Sequence, residues 1–184
     1  MTIRSHVDDL PDLSHYQVGV VAIDTETLGL IPQRDRLCVV QLSPGDGTAD
    51  VVQIRPGRPA PPNLCALLTD PRVIKLFHFA RFDVAVLKHA TDRHGLKDLS
   101  RELLGIDMSK VQQSSDWAAE TLTAAQLDYA ASDVLHLHAL KDKLDMMLAR
   151  ENRTALAAAC FAFLPTRAEL DLAGWPETDI FAHS

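Results

Sequence analysis

Four acidic residues in three separated motifs could together support chemistry that none of them would perform alone. They are Asp24 and Glu26 in residues 23–27, Asp83 at the end of residues 79–83, and Asp133 at the end of residues 129–133. Each lies in or beside an apolar segment, where an unpaired carboxylate is costly. Carboxylates brought together repel one another unless cations neutralise them. The pattern therefore indicates divalent metal ions of the kind that hydrolyse a phosphodiester.

Taken singly, these acids also have ordinary structural interpretations. Asp24 and Glu26 alternate along a strand and share one face, which is equally compatible with a chance acidic strand end. Asp83 could simply complement a helix dipole, and a helical Asp133 would ordinarily be exposed. The apolar neighbours of Asp133 and the joint occurrence of all four acids favour buried metal ligands.

Short β-branched runs and turn signals predict the elements that hold these residues. The runs at 18–24, 36–42 and 49–54 indicate strands, and the turn at 45–47 predicts that they form an antiparallel meander. A fourth strand is expected at 73–78. Further helices are predicted at 63–68, at 81–90, at 96–104, from the N-cap Thr123 to about Arg150, and at 154–163, where Pro165 would end the helix.

One connection departs from the usual α/β pattern. The helix at 81–90 runs almost directly into the helix at 96–104, whereas an α/β layer ordinarily returns to the sheet by a strand after each helix. We expect that residues are missing between Ala90 and Thr91. The alternative is a domain that lacks one strand and one helix.

Composition restricts the class of protein. The 184 residues are 47% hydrophobic with a net charge of -7, which disfavours a protein that coats long nucleic acid but not a nuclease with few phosphate contacts. No apolar run reaches the roughly 18 residues of a membrane span, and no signal-peptide pattern begins the chain. The scattered Cys38, Cys65 and Cys160 indicate reduced thiols. We therefore expect a cytoplasmic protein that contacts no membrane.

The acidic motifs, with Tyr129 four residues before Asp133, resemble those of the DEDD superfamily of 3′-5′ exonucleases, tyrosine subtype. Residues 112–133 are similar to the ribonuclease D branch, and the whole chain resembles short, single-domain members that digest very short RNA. Two departures disfavour long, structured RNA. Residues 118–120 (Ala-Ala-Glu) stand where that branch tends to have a basic residue and a proline, and we expect no helical nucleic-acid-binding domain after the exonuclease domain.

The resemblance implies a fold and a metal site. The fold would be α/β, a ribonuclease H-like mixed five-stranded sheet of three antiparallel strands and then parallel ones, flanked by helices, with residues 1–184 as one exonuclease domain. The cofactors would be two Mg²⁺ or Mn²⁺ ions per active site. Asp24 would bridge them, and Glu26 and Asp133 would complete the coordination of the first ion. Asp83 would hold the second ion, and Tyr129 would orient a water molecule.

Substrate contacts are expected from residues beside the acidic motifs, although each also has an ordinary core or surface interpretation. Trp117 is interpreted as core packing rather than a base-stacking residue. Arg93 and His94 flank the suspected gap between Ala90 and Thr91 and could hold a 5′-phosphate. The candidates are Thr27, Leu28, Leu30, His78, Phe79, Arg81, Arg93 and His94.

The expected function is a metal-dependent 3′-5′ exoribonuclease that degrades short single-stranded RNA, including dinucleotides, to 5′-mononucleotides. A DNA 3′-5′ exonuclease and a non-catalytic nucleic-acid-binding scaffold are the alternatives. The resemblance also implies a homo-oligomer in the form of a closed ring. The apolar tail residues Trp175, Ile180 and Phe181, too few to fold on themselves, agree with docking on a neighbouring copy.

Overall fold

A five-stranded mixed sheet carries the site residues. The computed structural model describes residues 2–17, 19–29, 34–78, 96–175 and 179–180, so the predicted helix at 81–90 lies outside the described residues. The spatial order of the strands is β1-β4-β3-β2-β5. The strands are β1 (Thr2–Val7), β2 (Val20–Thr27), β3 (Leu37–Ser43), β4 (Thr48–Gln53) and β5 (Ile74–Leu76).

The predicted meander is confirmed. β2 pairs with β3 and β3 with β4 in antiparallel register, and β5 joins β2 in parallel. Gly45 and Gly47 have φ angles of 89° and 84°, a conformation that side chains disfavour, and Asp46 accepts a 2.9 Å hydrogen bond from the Thr48 amide. The Gly-Asp-Gly turn therefore reverses the chain between β3 and β4.

β1 was not predicted from the sequence. It lies parallel to β4 at the outer edge of the sheet. The buried carboxylate of Asp50 on β4 accepts hydrogen bonds of 2.6 and 2.7 Å from Arg4 and is 2.7 Å from His6 Nε2; it also accepts one from the Tyr16 hydroxyl. Burial by itself would raise the pKa of Asp50, but these partners lower it to about 2. Polar contacts thus hold this edge strand, which explains why apolar periodicity misses it.

Five α-helices are described, and two differ from the prediction. The helix expected from Thr123 to Arg150 is interrupted at His136, and the last helix continues through Pro165 instead of ending before it. Beyond Pro165, Arg167 binds Asp171 one turn ahead and the Trp175 carbonyl at 2.6 Å, which stabilises the last turns of this helix. The helices are α1 (Pro62–Thr69), α2 (Leu96–Leu99, followed by a π-helical turn at Ser100–Leu104), α3 (Ala124–Leu135), α4 (Leu137–Arg150) and α5 (Thr154–Leu172).

The sheet is packed on both faces. One face meets α1 through a cluster that includes Val21, Ile23, Val40, Leu42, Leu64 and Leu67. The other face meets α3 through clusters that include Ala22, Val39, Val51, Ala130, Ala131 and Val134. The cysteines are free thiols, as expected. Among the described helices, none combines the length and apolarity that a membrane span requires.

Candidate active site

β2 brings Asp24 and Glu26 to its carboxyl end on one face. Asp24 lies opposite Gln41 of β3 and Glu26 opposite Val39, and the register shifts between Glu26 and Thr27. Val21, Ala22 and Ile23, which directly precede Asp24, are at most 1% exposed, so the strand is anchored in the core up to the first acid. This local arrangement agrees with the alternation read from the sequence.

α3 brings Asp133 over the same face. Its first turn is held by a capping box in which the Thr123 side chain accepts from the Gln126 amide and the Gln126 side chain accepts from the Thr123 amide. Ala130 and Ala131 are completely buried, and these small residues let the helix lie close to the sheet.

The three described acids meet at one point. One carboxylate oxygen from each of Asp24, Glu26 and Asp133 lies within 4.8 Å of the others. Oxygen ligands at this spacing suit a hard divalent cation such as Mg²⁺ or Mn²⁺. The residues present therefore fit the metal that the motif predicts.

The electrostatics of the cluster also fit a cation. Burial, opposed by a hydrogen bond from the Thr25 backbone, raises the pKa of Asp24 to about 6. Burial and then repulsion from Asp24 and Asp133 raise the pKa of Glu26 to about 8. Burial and repulsion from Asp24 raise that of Asp133 to about 7, although a hydrogen bond from Tyr129 opposes the rise. Near neutral pH it is energetically unfavourable for all three carboxyl groups to be ionised together unless a positive charge compensates them.

Tyr129 lies one helical turn before Asp133 and is half-buried. Burial, followed by the charges of Asp133, Glu26 and Asp24, raises its pKa far above the ordinary value, so the phenol stays protonated. Its ring is 5.9 Å from the ring of Trp117, at 41° between planes. Trp117 is 4% exposed, which agrees with its interpretation as core packing. The sequence did not reveal that it packs against Tyr129.

The expected substrate residues are described only in part. Thr27 and Leu28 directly follow Glu26; the Thr27 hydroxyl donates to the Gly29 carbonyl, and Leu28 is 56% exposed. His78 follows β5, and continuing the parallel register with β2 puts it at the same edge of the sheet as Asp24. Six predicted site residues lie outside the described residues: Leu30, Phe79, Arg81, Asp83, Arg93 and His94.

A basic cavity of about 390 Å³ at this edge of the sheet was not predicted. Arg36, Arg55 and Arg58 contribute to its lining, together with residues 118–120. Arg55 and Arg58 pair with Asp8, and Arg36 donates a 2.9 Å hydrogen bond to the Ile54 carbonyl. These contacts explain the arginines structurally, so the cavity is not assigned a ligand.

Comparison with known proteins supplies independent support. A family model described as 3′-5′ exonuclease matches residues 10–93 and 89–149. Ribonuclease D of Gluconacetobacter diazotrophicus is 34% identical over 164 residues, covering 78% of this chain and 42% of that protein. DNA polymerase I of Aquifex aeolicus is 32% identical over 144 residues, covering 68% and 24%. The chain thus spans about two fifths of the ribonuclease D relative.

Solved structures match over the full length. Brucella melitensis NrnC has a TM-score of 0.95 and 57% identity, with 100% of both chains covered. Structures of NrnC with bound Mg²⁺ (TM-score 0.94, 56% identity) and of NrnC bound to pGG (0.93, 59%) match over the same extent. The two segments of the family match overlap at residues 89–93. This overlap contains the position between Ala90 and Thr91 at which we expect missing residues.

Proposed function

The chain belongs to the family of 3′-5′ exonucleases, and we propose that it is a metal-dependent exoribonuclease that degrades short RNA, including dinucleotides, to 5′-mononucleotides. The observation that carries this proposal is the convergence of Asp24, Glu26 and Asp133 on one point. Their raised pKa values support a role in cation binding, because a binding module would gain nothing from three partly buried, mutually repelling acids.

In this proposal, Asp24, Glu26 and Asp133 hold one divalent cation, and Asp83 contributes to a second. When bound, Mg²⁺ or Mn²⁺ ions supply a nucleophilic hydroxide from water and neutralise charge on the phosphate. Mg²⁺ bound to the related NrnC supports the choice of metal. The residues of this chain contribute the remaining requirement, which is a set of carboxylates held in place by a buried strand and a capped helix.

Tyr129 acts in this scheme as an orienting group. A phenol whose pKa is raised by burial and by neighbouring carboxylates is a poor base at neutral pH. Its hydroxyl donates to Asp133 and presents its oxygen to the attacking water, so that it aligns this water without taking the proton. Packing against Trp117 restricts the ring to that position.

Short RNA is the proposed substrate because NrnC has been solved bound to pGG. The exposed Leu28 and the adjacent Thr27 support contact with the terminal nucleotide. For Leu30, His78, Phe79 and Arg81 we retain the proposed base, ribose or phosphate contacts, and for Arg93 and His94 the proposed 5′-phosphate contact. A DNA substrate is the second candidate, and the similarity to DNA polymerase I supports it. Contacts to the 2′-hydroxyl would separate the two substrates.

Product analysis on 5′-labelled RNA of two, three, seven and twenty nucleotides tests the proposal. Each length is incubated with Mg²⁺, Mn²⁺ or EDTA, alongside DNA of matched sequence and a Glu26→Gln variant. We expect fast, metal-dependent cleavage of the two-mer and loss of activity in the variant. A rate that rises steadily with length, or preferential DNA cleavage, would overturn the choice of substrate. Full activity of Glu26→Gln would overturn the site.

We also propose that the protein forms a closed homo-oligomeric ring. α5 is rich in alanine and aromatic residues, yet Ala157 is its one buried residue. Leu156 is 57%, Met146 58% and Trp175 52% exposed, so a large apolar surface surrounds the carboxyl-terminal helices. Such a surface favours burial against another copy. Light scattering coupled to size-exclusion chromatography tests this, and a monomer at micromolar concentration would contradict it.

A further inference from the structure

Gln41 is a buried polar residue without an apparent structural role. It lies in the middle of β3 and is 0% exposed. Among the residues that the structure describes, none hydrogen-bonds to its Nε2 or to its Oε1. A buried amide that is left unpaired is costly, and most buried polar groups in native proteins have a partner. A leucine or methionine would fill this position without that cost, so the amide indicates a function.

The register directs this amide to the acidic cluster. Gln41 lies opposite Asp24 in the antiparallel pair of β2 and β3, so the two side chains project from the same face. Cβ atoms of such a pair are about 4.5–5.5 Å apart. A glutamine amide extends three bonds beyond Cβ and can reach a neighbouring carboxylate. On its other side Gln41 lies opposite Val51, which offers no polar group.

The residues of α3 that pack on this face of the sheet offer the amide no partner. Ala130 and Ala131 of α3 are completely buried and contribute no polar side chain. A carboxylate can accept about four hydrogen bonds, and the Thr25 backbone donates one to Asp24. The carboxylate therefore retains capacity to accept a hydrogen bond from this side.

We propose that Gln41 is a positioning residue of the acidic cluster, and that its Nε2 donates a hydrogen bond to the Asp24 carboxylate when a divalent cation is bound. This inference rests on the proposed function. A donor on the cation-distal side of a ligand fixes the ligand's orientation and raises metal affinity. Gln41 would thereby fix the rotation of the Asp24 carboxylate without itself touching the cation.

Direct cation binding tests this role without relying on catalysis. Mn²⁺ titration calorimetry is performed without RNA on the wild type, on Gln41→Met and on the control Gln53→Met. Gln53 is also a buried glutamine of the sheet, but its Nε2 bonds to the Ala119 carbonyl and it lies opposite Val39. We expect the dissociation constant for Mn²⁺ to rise about 10- to 100-fold in Gln41→Met. The control should change it less than threefold.

Thermal unfolding of the cation-free proteins separates positioning from a structural role. Gln41→Met should unfold at the wild-type temperature or above, because it removes unpaired polar groups, whereas Gln53→Met should unfold lower because it loses a hydrogen bond. A Gln41→Met variant with wild-type Mn²⁺ affinity would overturn the inference alone. A wild-type protein that binds no divalent cation would overturn the proposed function together with it.

A measurement on the wild type covers the case in which Gln41→Met does not fold. With ¹⁵N-labelled glutamine, the assigned side-chain amide of Gln41 should shift on Mg²⁺ addition and saturate at the calorimetric dissociation constant. The Gln53 amide should shift much less. An unchanged Gln41 amide at saturating Mg²⁺ would refute the hydrogen bond.

Discussion

Replacing Asp133 by asparagine should stabilise the cation-free protein, although it removes a proposed metal ligand. Burial and repulsion from Asp24 raise the pKa of Asp133 from 3.8 to about 7. A pKa difference of 1 corresponds to about 1.4 kcal/mol. Ionising this carboxylate therefore costs about 4 kcal/mol more in the folded state than in the unfolded chain. Part of that cost is repulsion from Asp24, which disappears when Asp24 is protonated. We therefore expect a net gain of about 2 kcal/mol from the neutral asparagine.

The size of this stabilisation depends on pH. Because the folded state binds the Asp133 proton more tightly than the unfolded chain, the free energy of unfolding falls as pH rises from about 4 to about 7. Above pH 7 the full deficit of the wild type is present. The stabilising effect of Asp133→Asn should thus be complete at pH 8 in EDTA and fall to roughly two fifths of that at pH 5, where the folded carboxyl is protonated but the unfolded chain still ionises it.

Urea unfolding at pH 5 and pH 8, with EDTA or with saturating Mg²⁺, measures this. Mg²⁺ should stabilise the wild type by mass action and stabilise the variant much less, so that the difference between them shrinks or reverses. Asp128→Asn is the matched control, because Asp128 is an exposed carboxylate on the same helix. It should change stability by less than about 0.5 kcal/mol. An Asp133→Asn protein that is less stable than the wild type at pH 8 in EDTA would refute the reasoning.

Three further predictions concern other parts of the chain. Tyr129→Phe should lower the single-turnover rate of dinucleotide cleavage about 100-fold and leave Mn²⁺ affinity within threefold; an unchanged rate would exclude the orienting role. Asp50→Ala should lower the free energy of unfolding in urea by about 3 kcal/mol, because the partly buried Arg4 loses its buried partner, with Mn²⁺ binding as the control that stays unchanged. Intact mass spectrometry of the protein from its natural source should give a mass above that of the 184 residues; an equal mass would refute missing residues between Ala90 and Thr91.

Local patterns predicted much of the site. The resemblance to ribonuclease D-like exonucleases is confirmed by the family match and by the similarity to NrnC. The cap at Thr123 is confirmed, since capping depends on residues only three positions apart. The strand that carries Asp24 and Glu26 was recognised for the same reason: a β-branched run determines alternation locally. The roles of these acids and of Tyr129 stay predictions.

Features that depend on distant residues were missed. β1 is held by polar contacts to Asp50, more than forty positions away, which no local periodicity encodes. The continuation of α5 past Pro165 is a separate case, because proline removes one backbone donor but does not end this helix, and contacts made by Arg167 stabilise the turns beyond it. The unpaired amide of Gln41 could not be predicted from the sequence either, because Gln41 is only one polar residue in an apolar strand.

The sequence by itself determined which donor atoms are available and which short segments present them, because residue type, strand alternation and helical spacing act over a few positions. Only the tertiary structure decided that Asp24, Glu26 and Asp133 share one point, with raised pKa values. That outcome depends on the packing of α3 against β2 and β3, where buried alanines let the helix lie close and partly bury the acids. Burial is a property of the assembled fold, and burial makes these carboxylates suited to a cation.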